Sequence, residues 1–302
     1  MNMDTREGQM PEVEGRNLWP ELDADGAWRE LCRRLNALRL EPQNWWARIA
    51  ADPEAVFCLE ESALKVRLRG NDFLEVTLRG TGLHCRIAPE HLLLSHPGAR
   101  SVLGDAGAAA EPGRVASFAD LAAHYDHVRR RVCVTQDKRA AIIDRLFLRH
   151  SCVLAVDVGL PTGRADLVAL SPQGVAVFFL LRRYQDPDLR LKGRGGVVWR
   201  MRELDKCLAD SENMALWVRN LLERSRHLDT PHARRFRFDK TPLIYPRARL
   251  LVVDFDHAQR LHGLPLLRTD LEAGLDHDAA RGDIHCIGDA GNVSHGTFFS
   301  GI

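Results

Sequence analysis

Long hydrophobic runs are missing from this chain. None approaches the ~20 residues that a bilayer-spanning helix needs, so no membrane partner is expected. An excess of one charge is missing too. Lys and Arg number 42 against 41 Asp and Glu, a net charge of +1, so any basic surface must come from local clustering. Cysteine in metal-binding spacing is lacking: none of the seven Cys forms a Cys-x-x-Cys pair, which argues against structural zinc. Their odd number and apolar neighbours fit buried free thiols, and a cytoplasmic location is the expectation. His257 and His262 are five apart rather than four, and His285, Cys286 and His295 lack a fourth ligand at zinc spacing. The first residues carry Asp4, Glu7, Glu12 and Glu14 and no apolar core, unlike a signal peptide. There is no Gly-x-Ser-x-Gly, and the loop at Gly193-Arg194-Gly195-Gly196 lacks the Lys of a P-loop.

The 302 residues that are present have an ordinary globular composition, 45% hydrophobic and 27% charged, with length enough for two domains. Leu31, Leu35 and Leu38 recur at helical spacing and predict a helix over 27–40. A second helix is expected over 42–51, with one of Trp45 and Trp46 in the core and the other covering a junction. Period-two alternation over 64–69, 74–78 and 83–87 predicts an antiparallel meander with Lys65, Arg67, Arg69, Arg79 and Arg86 on its solvated face. Gly and Ala dominate 104–113, the best linker candidate. The expected division is an N-terminal helical and antiparallel-β module over 1–110, followed by a second domain over 111–302. Helices are expected over 117–131 and 135–150, the latter capped by Thr135.

Three apolar runs follow, at 153–158, 167–170 and 175–181, separated by Gly/Pro punctuation, and they read as buried strands. Two carboxylates, Asp157 and Asp166, sit inside or at the edge of these runs. A buried carboxylate is costly unless it meets a metal, a cation or backbone donors. A basic segment then runs from Arg182 to Lys206, with helices expected over 198–209 and 216–222. A buried strand over 250–255, a helix over 257–275 and a short strand over 284–287 complete the expected elements.

The order helix, strand with Asp157, strand with Asp166, strand ending at Tyr184 and basic helix resembles the core of the PD-(D/E)xK, or restriction-endonuclease-like, nucleases. Gly163-Arg-Ala-Asp-Leu-Val-Ala-Leu and Phe178-Phe-Leu-Leu-Arg-Arg-Tyr carry the resemblance, which spans roughly 135–209. It implies an α/β fold (α+β in connectivity), a mixed sheet flanked by helices. It also implies a site in which Asp166 and Asp157 would be metal ligands for Mg²⁺, activating water against a phosphodiester. The chain departs from the family where Glu-x-Lys should stand. It has Leu180-Leu181-Arg182: a Leu cannot bind metal, and Arg182 is cationic but never a base. The expectation is therefore a nuclease-like protein with a degenerate catalytic set (Asp157, Asp166, Arg182), acting in nucleic-acid binding or in assembly with a protein partner or itself. Arg182 would then pair with Asp166 or Asp157. Arg183, Arg190, Lys192, Arg194 and Arg200 are the candidate contacts to DNA or RNA. Two alternatives stay open: an active Mg²⁺-dependent endonuclease whose carboxylate has migrated to Glu203 or Asp205, and a structural subunit.

Overall fold

This computed structural model describes residues 25–60, 63–80, 82–87, 101–103, 125–126, 129–130, 132, 137–232, 235–236, 240–275 and 282–302. The linker candidate at 104–113 and most of the helix expected over 117–131 lie outside them. Two helices, α1 (Asp25–Arg39) and α2 (Trp45–Ala51), lead into a meander of five antiparallel strands: β1 (Ala55–Leu59), β2 (Ala63–Leu68), β3 (Asn71–Arg79), β4 (Gly82–Ile87) and β5 (Ser101–Leu103). The alternation seen in the sequence governs β4, whose residues are buried one in two. Trp45 and Trp46 are both buried in the core between this sheet and its helices, packed edge-on to each other, so neither is left to cover a surface.

Helix α3 (Lys138–Arg149) then precedes the central sheet. Its N-cap is Asp137, whose carboxylate accepts the N–H groups of Arg139 and Ala140; the cap expected at Thr135 is thus placed two residues too early. Strands β6 (Val153–Leu160), β7 (Gly163–Leu170) and β8 (Val175–Arg183) run antiparallel to one another. Helices α4 (Val197–Ala209) and α5 (Ser211–His227) follow, and the chain returns through β9 (Leu243–Ile244) and β10 (Arg249–Val253), both parallel to β8. A π-turn at Gln259–Gly263, helix α6 (Leu264–Gly274), strand β11 (Ile284–Ile287) and helix α7 (His295–Phe299) close the described chain. The spatial order is β11-β10-β8-β7-β6, with β9 beside β8. The protein is thus α/β, a mixed sheet flanked by helices with a second, antiparallel sheet before it.

Strand β8 explains its own sequence. It lies between β7 and β10 and is covered on both faces, so Val175–Arg183 reads as a continuous apolar run rather than an alternation. One face packs on α4, α5 and α6 through Met201, Leu204, Val218 and Leu267; the other packs on α3 and α7 through Leu146, Phe147 and Phe298. Strand β1 joins the two sheets: Phe57 belongs to the N-terminal core, and Val56 and Cys58 belong to the α3 side of the central one. Helix α1 is tied to the end of α5. The indole N–H of Trp28 donates to the Arg224 carbonyl at 3.0 Å, and the Asn36 amide donates to the His227 carbonyl at 2.8 Å. No helix among the described residues is long and apolar enough to cross a membrane.

Candidate functional site

The three parallel strands β8, β10 and β11 end together, and the turn between β6 and β7 lies at the same end of the sheet. In open α/β sheets that end forms the usual ligand crevice. Asp157, Arg164, Asp166, Arg182, Arg183 and Asp254 all fall there.

Asp166 is 7% exposed and Arg182 1%. The paired register of β7 and β8 stops at Leu167–Phe179. Beyond it the Asp166 carboxylate takes over: its Oδ2 accepts the Leu181 N–H at 2.7 Å and an Arg182 guanidinium N–H at 2.7 Å. The other side of the guanidinium donates from Nε to Asp188 Oδ2 at 2.6 Å, and Nη1 also reaches the Leu181 carbonyl at 2.6 Å. Burial works against the Arg182 charge, but Asp166 and Asp188 more than offset it and hold the group above its ordinary pKa. Arg200, in the first turn of α4, approaches Asp188 at 3.6 Å and extends the network to the surface.

Asp157 is placed differently. It stands across from Asp166 in register, between the pairs Val156–Leu167 and Val158–Ala165, but its φ is +57°. That left-handed residue switches the face of the strand: Val156 packs on the α3 side and Val158 on the α4 side. Its carboxylate meets the Arg164 guanidinium and, at 3.8 Å, that of Arg67. Arg67 was expected on a solvated face. Instead it is buried, 3.0 Å from Asp144 of α3, because α3 covers β2 there. Asp144 Oδ2 also accepts the Gly70 N–H at 2.6 Å. Burial pushes Asp144 up to about 6, against the opposing pull of Arg67 and of the Gly70 N–H. The carboxylate in a helix whose neighbours Ile143, Leu146 and Phe147 are apolar was the visible sign of this pair.

The resemblance to nucleases implies Mg²⁺, and the residues do not fit it. Mg²⁺ asks for near-octahedral oxygen ligands at ~2.0–2.1 Å. Here Asp166 Oδ2 already accepts the Leu181 N–H and an Arg182 guanidinium N–H, and the position of the family's second carboxylate is Leu180, a buried core residue. Among the described residues no group of three or more His, Cys, Asp or Glu is arranged to hold a metal. The two proposed migrated carboxylates are engaged elsewhere: Glu203 with Lys206 at 2.5 Å, and Asp205 with the Ala248 N–H at 2.6 Å. The carboxylate that does approach is Asp188, in the turn Asp186-Pro187-Asp188. In the sequence it shows only as one of the acids interleaved with the basic residues, able to form local pairs, and nothing there aims it at Arg182.

The cationic candidates divide in two. Arg183 is held by Asp254 at 2.7 Å, and Arg190 lies over the Tyr184 ring, 4.8 Å from its centre, while donating to the Tyr184 carbonyl. Lys192 and Arg194 project from the glycine-rich turn before α4, exposed and with no ion-pair partner among the described residues. Gly193 and Gly195 give that turn its shape, with φ of +76° and +95°. No known protein family, curated protein or solved structure matches this chain.

Proposed function

We propose that this protein is a nuclease-like nucleic-acid-binding protein without a hydrolytic centre. The observation that carries the reading is the Asp166–Arg182–Asp188 bridge: a fixed guanidinium stands where a hydrolase of this architecture would need a divalent cation. The element order supports the architecture, with a helix, three antiparallel strands, a basic helix and a parallel strand in succession. The same bridge leads through Arg200 to the loop bearing Lys192 and Arg194, where exposed cations stand just before the positive end of the α4 dipole. Such a surface suits the phosphate backbone of DNA or RNA, which is bound by charge and read without base specificity.

The test is a titration of the full chain with labelled single- and double-stranded DNA and RNA over a range of salt, run in parallel with incubation in Mg²⁺ or Mn²⁺. The expected result is salt-sensitive binding without cleavage. Metal-dependent cleavage that disappears in Asp166→Ala would overturn the loss of hydrolysis. Absence of binding to all four probes at low salt would overturn the nucleic-acid role.

A further inference from the structure

Every described tryptophan but one is packed. Trp28, Trp45 and Trp46 are buried in the N-terminal core, and Trp217 packs on the central one beside the Phe178 ring. Trp199 belongs to none of the apolar cores. It is 36% exposed, and among the described residues no aromatic ring packs on its indole and no acceptor takes its N–H. An indole is the largest apolar surface a side chain can bury, so one left outside the cores asks what covers it.

Trp199 is the third residue of α4. The helix buries Val197, Met201, Leu204 and Leu208, a stripe at i, i+4, i+7 and i+11. Val198 beside this stripe packs on Gly274 of α6 and fixes the rotation of the helix. Trp199 falls on the opposite, solvent side, which it shares with the exposed Arg202 and Lys206. Helical side chains lean toward the N-terminus, so the indole covers the turn before its own Cα. That turn adjoins the glycine loop. The Gly196 N–H donates to the Gly193 carbonyl at 3.1 Å, and the Leu191 carbonyl lies so close to Gly196 that a Cβ there would have no room. The loop is thereby folded back on the start of α4, and its exposed Lys192 and Arg194 stay near the ring. Arg200, next in the helix, is exposed as well.

We propose that this surface takes single-stranded nucleic acid, with one unpaired base stacked on Trp199 and the adjoining phosphates held by Lys192 and Arg194. The inference rests on the nucleic-acid reading above and names its substrate class. Charge selects the occupant. An apolar protein surface laid on the ring would bury Arg194 and Arg200 against nothing that answers their charge, whereas a nucleic acid brings a phosphate with every base. The indole selects the strand. Inside a duplex both faces of each base are covered by its neighbours, so an exposed ring adds nothing to a site that meets only phosphates. An unpaired base has a face to offer, and stacking of this kind tolerates any sequence.

Titration of the full chain with labelled probes of equal length tests the proposal: a single strand, the same strand with abasic sugars throughout, and the duplex. The native chain should bind the single strand roughly tenfold more tightly than the abasic strand, which carries the same phosphates without a base to stack. Trp199→Ala should remove that advantage while the slope of log affinity against log salt persists, and Trp199→Phe, which keeps an aromatic face, should retain most of it. Equal affinity of the native chain for the two strands would overturn the proposal, and this comparison needs no variant. So would a loss in Trp199→Ala that is as large on the duplex and the abasic strand as on the single strand, which would mark a structural role. Displacement of the single strand by an equal concentration of mononucleotide would replace the strand with a free nucleotide. Self-association that disappears in Trp199→Ala would replace it with a second copy of this chain. In each of these cases the cationic loop can still bind phosphates; binding of no probe at low salt would instead overturn the nucleic-acid reading, and this inference with it.

Discussion

Asp157 and Asp166 stand across from each other on β6 and β7, yet they bind different guanidinium groups on different sides of the sheet. Asp166 meets Arg182, and Asp157 meets Arg164 and Arg67. Two like charges directly opposed on one face would repel. The left-handed backbone at Asp157 separates them and gives each a cation of its own. A pair that would have to converge on a shared ion is here divided into two internal salt bridges.

The Arg182 bridge is expected to be costly to break from one side. Arg182→Met leaves Asp166 and Asp188 buried without their cation, and a loss of ~3–5 kcal/mol in urea unfolding is expected. Adding Asp166→Asn and Asp188→Asn to Arg182→Met removes the stranded charges and should recover part of that loss. A triple variant less stable than the single one would contradict the assignment.

Stability should vary with pH through Asp144. Its folded pKa of about 6 lies above the ordinary carboxyl value, so the folded state holds the proton more tightly than the unfolded chain. The contribution of Asp144 is therefore present in acid and is lost as pH rises through about 6. The stability difference between the native chain and Asp144→Asn should fall by ~2–3 kcal/mol across that window. His232 acts in the opposite sense. Burial beside Phe57 and Phe147 lowers it to about 4, so its contribution is present above its ordinary value and is lost as pH falls toward 4. His232→Gln should make the acid limb of the stability profile shallower. Melting curves at several pH values check both signs.

Gly70 and Gly80 both have positive φ, at +88° and +56°, but only Gly70 is crowded. A methyl group there would press on the Ala141 N–H and lie 2.7 Å from the Asp137 carbonyl, at the start of α3. Gly80→Ala should cost only ~1–2 kcal/mol for its backbone conformation. Gly70→Ala adds a collision between backbones and should cost more than ~3 kcal/mol. Thermal unfolding of the two variants gives the comparison.

For nucleic acid, the cations with no ion-pair partner should matter most. Lys192→Ala and Arg194→Ala should each reduce the slope of log affinity against log salt by ~0.7–0.9. Arg183→Ala should change it less, since Asp254 already neutralises that guanidinium. Equal effects of all three would show that the pair with Asp254 opens on binding.

Most strands of the central sheet were legible in the sequence because well-covered strands leave continuous apolar runs, and β6, β7, β8 and β10 all fall where those runs stand; β11, half-buried at the edge, showed only as the short run Ile284–Ile287. The pairing of Arg182 with Asp166 was legible for a related reason: a cation and a carboxylate in neighbouring buried strands have few other partners. Its second half was not. Asp188 reaches Arg182 only because the chain turns back through Pro187. Arg67 was misplaced because alternation assigns a face within its own sheet and cannot show that α3 will cover that face. Trp45 and Trp46 were misassigned on similar grounds, since a seven-residue helix enclosed on several sides buries neighbours that an exposed helix would divide.

The link between α1 and the end of α5 sets an order of events. The Arg224 carbonyl that receives the Trp28 indole N–H is 196 residues further along the chain. During synthesis α1 can pack on α2 and β3 as soon as these emerge, but its face toward α5 stays uncovered until Arg224 is made. Contacts of such sequence separation close slowly, because a long loop is ordered before any interaction rewards it. The seam between α1 and α5 is thereby among the last contacts to be finished, and the face of α1 that waits for it has most to gain from a chaperone.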